Sequence, residues 1–303
     1  MFAIRCVILT ALGIAIVGSL SGCSQNPATG RMQLRLLPAD QVSAMGMEAK
    51  PQLIQEYGGE VPERQLRAYV TEVGMKLAQH VEPEFADVPW SFTVLDSDVI
   101  NAFALPGGNV FISRGLLARF DHEAQLAGVL GHEIGHVTAM HIDERLSQHA
   151  VTEFGLAVGG SLTDSQLTLL AAQLGSGALL LRFGRNQESE ADILGVRYMA
   201  AAGYDPQGML DVLEVLREAS AGAAQQPEFF STHPHPETRI NTVNNLLRGD
   251  YAYTQNNPAF GKYENRFQQR AMPYLRAYRD RYEHETPVFA AAMFWCAHCQ
   301  HAD

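Results

Sequence analysis

The chain has 303 residues, 47% of them apolar, and carries 22 Lys and Arg against 33 Asp and Glu, a formal net charge of −11. That apolar share supports a packed core rather than a disordered chain, and the length admits one large or two small domains. The acidic balance, with no basic block anywhere, argues against nucleic acid as a partner.

Residues 1–22 read as a targeting segment. Arg5 supplies a positive start, 7–17 is an apolar run of signal length, and small residues follow. The run is short for a membrane helix, which needs about 20 residues; an ordinary cleaved signal or a membrane helix is the alternative. Leu20-Ser21-Gly22-Cys23 has the form of a bacterial lipobox, so cleavage before Cys23 and lipidation on it are expected. Several acyl chains on one residue meet the condition for stable anchoring. Ser24 after the Cys fits sorting to the outer membrane, with the protein on its periplasmic face.

Residues 23–38 then form a tethered, extended lead-in, and 39–250 the main domain. A helix is expected over 40–57, kinked or broken at Pro51. The clearest early helix is 62–80, where Leu66, Tyr69, Val70, Val73 and Leu77 share a face. Residues 90–95 alternate like a strand, and 101–105 and 109–113 form a hairpin across Pro106-Gly107-Gly108. An edge of such a hairpin can pair with an extended peptide.

Residues 121–146 read as one amphipathic helix, with Leu126, Val129, Leu130, Ile134 and Val137 at three- and four-residue spacing. Inside it lies His132-Glu133-Ile134-Gly135-His136, an H-E-x-x-H element. On a helix the two histidines stand one turn apart on one face and can grip a single zinc ion, while Glu133, about 100° around, can reach a water on that metal. A zinc site needs a third protein ligand and an open position. Glu188 is the candidate, in a helix that opens near Asn186 and stops at Gly203. Asp192, one turn on, can accept the far N–H of a ligand histidine and fix its tautomer. Glu190 is next in line should Glu188 fail. An acidic helix start complementing the macrodipole is the plainer reading of Glu188 and Glu190.

Residues 154–183, rich in Gly, Ala and Leu, are too interrupted for a membrane span and fit a helical hairpin. Helices follow from Asp205-Pro206 to about 219, over 236–247, and around 264–282. Residues 251–303 form a helical extension with a Cys296-Ala297-His298-Cys299 tail, read as a pairable, non-catalytic C-x-x-C. His80, His122, His141, His149 and His284 lack ligand spacing or sit off the His132/His136 face.

The pairing of His132-Glu133-Ile134-Gly135-His136 with Glu188-Ser189-Glu190-Ala191-Asp192 resembles the HtpX, Oma and BepA group of zinc metallopeptidases. So do the 101–112 hairpin, Ser231-Thr232-His233-Pro234 with Arg239-Ile240, and Asn26-Pro27-Ala28-Thr29-Gly30. The resemblance spans most of 25–248 and implies a mostly helical α+β gluzincin-type fold with a small antiparallel sheet beside the metal helix. It implies one zinc per chain on His132, His136 and Glu188, with Glu133 as general base and acid. Asp192 would orient a ligand, most simply His132, and His233 would approach as a displaceable fourth ligand, with His235 a competitor two residues on. The activity implied is endoproteolysis of misfolded or misassembled envelope proteins, outer-membrane proteins among them, by a lipid-anchored protein. His233, Arg239 and Tyr204 are the candidates for the second oxyanion stabiliser. A chaperone-like assembly factor with a latent zinc site is the rival class; a redox lipoprotein using Cys296 and Cys299 is a weaker third.

Overall fold

The computed structural model describes residues 23–156, 161–176, 182–220, 227–234 and 236–284. Residues 1–22 (expected to be a targeting segment), His235 and the Cys296/Cys299 tail lie outside the described residues.

The lead-in is a hairpin. β1 (Cys23–Gln25) pairs antiparallel with β2 (Met32–Leu34). Asn26 Oδ1 accepts from the N–H groups of Ala28 and Thr29, an Asx turn that reverses the chain. α1 (Ala39–Glu56) runs through Pro51 without a break. Pro51 and Met47, whose carbonyl loses its helical partner, both lie on the exposed side, where solvent reaches that carbonyl. α2 (Arg64–Ala78) buries the face its periodicity marked.

The sheet has the order β3-β5-β4, from β3 (Ser91–Leu95), β4 (Ala102–Leu105) and β5 (Asn109–Ser113). β4 and β5 form the expected antiparallel hairpin, whose turn needs left-handed Gly107 (φ 78°) and Gly108 (φ 80°). β3 joins β5 in parallel, so the sheet is mixed. The central strand is buried along its whole length, as a strand covered on both faces must be. Val94, Val110, Ile112 and Ala102 face one core with α2, and Leu95, Phe103, Leu105 and Phe111 face a second core with α1.

After α3 (Arg114–Leu117) comes α4 (Glu123–Thr138), and then α5 (His141–Phe154). The single helix expected over 121–146 is two. The break is at Met140, whose φ of 52° is left-handed and uncommon outside glycine. α6 (Asp164–Gly175) packs on α1. α7 (Arg185–Ala201) is halted at Gly203, φ 73°. α8 (Gln207–Ser220), α9 (Phe229–Thr232), α10 (Pro236–Arg248), α11 (Glu264–Arg270) and α12 (Met272–His284) complete the described chain. The break between α11 and α12 falls at Ala271, φ −107°.

α4 is central, wrapped by α2, α7 and α8. Nearly all of it is buried, its polar face included. It meets α7 backbone to backbone. A Cβ on Gly135 would stand 2.8 Å from the Ala191 carbonyl oxygen, and one on Gly195 3.0 Å from the His132 nitrogen. Small residues at 131, 135, 191 and 195 thus bring His132 and His136 beside Glu188 and Asp192. No described helix is long and apolar enough to cross a membrane.

Candidate metal centre

His132, Glu133, His136, Glu188, Asp192 and His233 are each at most 1% exposed. Polar groups buried that deeply need partners. His132 Nδ1 is 2.8 Å from Asp192 Oδ1; a carboxylate only accepts, so Nδ1 carries the hydrogen and Nε2 presents a lone pair. Arg239 donates to both oxygens of Asp192, at 2.9 and 2.7 Å, and also lies 3.2 Å from Glu188 Oε2.

The atoms able to act as ligands converge. His132 Nε2 is 3.0 Å from His136 Nε2 and 3.3 Å from His233 Nδ1. Glu188 Oε2 is 3.6 Å from His132 Nε2, and Oε1 is 3.5 Å from His136 Nε2 and 3.2 Å from His233 Nδ1. One donor atom from each of His132, His136, Glu188 and His233 lies within 4.8 Å of every other. Glu133 lies just outside this set, its Oε1 3.6 Å from His233 Nε2.

Electrostatics follow from the burial. It lowers His132 to about 4, assisted by Arg239, and His136 well below its ordinary value. Both rings therefore stay neutral. Burial also raises Glu133 to about 7, opposed by His233. For Glu188 burial acts upward, but the charges of His233 and Arg239 outweigh it and hold the carboxylate well below the usual range.

Two aromatic rings close the cluster. Phe183 stacks on His136 with centroids 3.9 Å apart, and Phe229 stacks on His233 at 4.5 Å. The Phe183 N–H donates to the Thr232 carbonyl, and the Phe229 N–H to that of Ile100 beside β4. The segment bearing His233 is thus fastened to both the sheet and the residues ahead of α7.

The sequence matches the description Peptidase family M48 over residues 64–247, more than half of the chain. The chain belongs to peptidase family M48. It is 34% identical over 190 residues to the beta-barrel assembly-enhancing protease of Escherichia coli strain K12, covering 59% of this chain and 38% of that one. It is 31% identical over 227 residues to the mitochondrial metalloendopeptidase OMA1 of Schizosaccharomyces pombe, covering 73% and 65%. A 33% match over 157 residues to OMA1 of Arabidopsis thaliana covers 50% and 30%. The chain therefore spans well under half the length of the beta-barrel assembly-enhancing protease it matches.

M48 peptidases are zinc-dependent, and the donor set of this M48 chain fits that ion. Ligands about 2.0–2.1 Å from a tetrahedral zinc stand about 3.3 Å apart; the contacts here run from 3.0 to 3.6 Å. His132 Nε2 and His136 Nε2 face each other at 3.0 Å, as two imidazole ligands of one ion do. Buried Glu188 Oε2 also lacks a hydrogen-bond partner.

Some sequence candidates lie elsewhere. Tyr204 donates to Glu123 Oε1 at 2.8 Å, away from the cluster. Arg239 is occupied with Asp192 and Glu188 behind the ligands, so neither residue is set to meet an oxyanion. Glu190 faces His141 and Arg31 rather than the donor set. His141, set aside in the sequence as lying off the ligand face, has its Nδ1 2.9 Å from His136 Nδ1.

Proposed function

We propose that the chain is a zinc metalloendopeptidase in which His132, His136 and Glu188 hold the metal and Glu133 carries the proton. The observation that carries the reading is the convergence of His132 Nε2 and His136 Nε2 on the Glu188 carboxylate. Zinc, when bound, supplies a Lewis acid that polarises a scissile carbonyl and makes water more acidic. Glu133, beside the donor set and raised to about 7, takes a proton from water and returns it to the leaving amine, work that suits a pKa near the operating pH. Asp192, gripped by Arg239, holds the His132 tautomer.

His233 serves as a displaceable fourth ligand, so the conformation described is the resting one. Its Nδ1 stands where substrate and water need access, and Phe183 and Phe229 cover it. The open edge of β4, next to α4, is the docking edge for an extended peptide. The substrates are misfolded or misassembled envelope proteins, a reading supported by the name of the Escherichia coli relative. The anchor is lipid on Cys23, at the periplasmic face of the outer membrane. Loss of labelled fatty acid in Cys23→Ser tests that part.

The central test is a pair of variants. Glu133→Gln keeps zinc and loses cleavage of an unfolded protein; Glu188→Ala loses most of the zinc by elemental analysis. Full zinc in Glu188→Ala rejects the ligand set. If a Glu133→Gln strain retains the wild-type cellular function, the chaperone-like assembly factor becomes the reading.

A further inference from the structure

His132 is held by a buried carboxylate and arginine, the usual support of a ligand histidine. Among the described residues no carboxylate pairs with the Nδ1 of His136. What it has is a longer chain of contacts. His136 Nδ1 lies 2.9 Å from His141 Nδ1, and His141 Nε2 lies 2.9 Å from Glu190 Oε2. Glu190 in turn lies 3.0 Å from Arg31 Nε, and Arg31 forks onto Glu144 at 3.0 and 2.7 Å. Hydrogens can be assigned from the far end. Glu190 only accepts, so His141 Nε2–H donates to it. The other nitrogen of a neutral imidazole is then bare and accepts, so His136 Nδ1–H donates to His141. That leaves His136 Nε2 as a lone pair aimed at the donor set.

The backbone is bent to make this happen. In a straight helix residue 141 would lie away from the 132/136 face. The left-handed Met140, φ 52°, swings His141 back under His136. Non-glycine residues are uncommon in that region and persist only where their surroundings hold them. Here the β1–β2 hairpin does the holding. The side-chain amides of Asn26 and Gln33 donate to the carbonyls of Thr138 and Ala139, at 2.9 and 2.6 Å, the otherwise unpaired end of α4. Arg31 leaves from the same hairpin.

Resting on the zinc reading above, we propose that His141, Glu190 and Arg31 are positioning residues that fix the tautomer and orientation of His136. The N-terminal hairpin is then part of the metal centre, not only a lead-in to it.

The test is zinc affinity of the full mature protein by chelator competition, with the His136 tautomer read by nitrogen-15 NMR of the metal-free protein. Support residues of this kind change metal affinity by about 10–100-fold. His141→Phe is expected to weaken zinc by that factor. Glu190→Leu, at a partly exposed position, weakens it in the same direction and keeps the test standing should the buried His141 variant fail to fold. Arg31→Ala gives a smaller loss that Arg31→Lys partly restores. The Nδ1–H form of His136 dominates in wild type and gives way to a mixture in Glu190→Leu. Unchanged affinity and tautomer in Glu190→Leu, with zinc tight in wild type, overturn the chain alone. No zinc in wild type overturns instead the ligand reading on which it rests.

Discussion

Replacing Arg239 with Met distinguishes support from catalysis. The guanidinium is 1% exposed, donates twice to Asp192 and lies 3.2 Å from Glu188. Met fills much of the volume but leaves both carboxylates without their cation. Removing one partner of a buried ion pair costs about 3–5 kcal/mol, chiefly through the charge left behind. For a domain of this size each kcal/mol moves Tm by about 2–4 °C, so a fall of roughly 6–20 °C is expected. The fall is larger in EDTA than with zinc, because zinc neutralises Glu188 but does nothing for Asp192. Arg239→Lys retains the charge but not the fork, and falls in between. The assay is thermal unfolding by circular dichroism with and without EDTA, beside zinc content and cleavage rate. If Arg239 instead donates to a developing oxyanion, Arg239→Met leaves Tm and zinc unchanged and lowers cleavage only. That result refutes the support role.

His233→Ala is expected to raise cleavage of an unfolded protein, self-cleavage included, at unchanged zinc content, because it vacates the fourth position; lower cleavage with zinc retained makes His233 a transition-state donor instead. Asp211 gives a pH dependence remote from the metal. Burial pushes its pKa up, but hydrogen bonds from His122, Lys262 and Gln207 more than reverse this and hold it at about 2. A depressed acid stabilises the fold fully above its unfolded pKa of about 3.9 and loses that contribution as pH falls through its folded value. In urea unfolding of the metal-free proteins, the gap between wild type and Asp211→Asn is therefore full at neutral pH and closes between about pH 4 and 2. A gap that does not narrow there removes the ionised Asp211 as its source.

The parts of the site legible in the sequence are those that obey one helical period. His132 and His136, and likewise Glu188 and Asp192, each stand four apart on a single unbroken helix, so their shared faces follow from counting. His141 was not legible because counting fails across Met140: nothing in Thr138-Ala139-Met140-His141 marks a left-handed residue, and the hydrophobic pattern continues past it. Arg239 could be found as a candidate but not placed, since its partners come from another helix and only packing sets which side of the ligands it takes. The same holds for β3, whose alternation is plain while its parallel pairing with β5 depends on where the 96–101 segment carries the chain. Pro51 misled for a local reason: it sits where the missing bond faces water.

The seam between α4 and α7 is lined chiefly by backbone, at Gly131, Gly135, Ala191 and Gly195. Its width is set by main chains in contact, and no residue is smaller than glycine, so the spacing between the two halves of the donor set acts as a fixed gauge. It does not drift by tenths of an ångström as neighbouring core residues change; a single added methyl at Gly135 meets a wall at 2.8 Å. The spacing of the two helices is therefore not set by the length of the chain that joins them. What that chain does supply is local to one ligand: Met140 and His141 beneath His136, and Phe183 stacked on it. A lineage of such proteins is free to vary what lies outside those contacts while the two halves of the donor set stay in register.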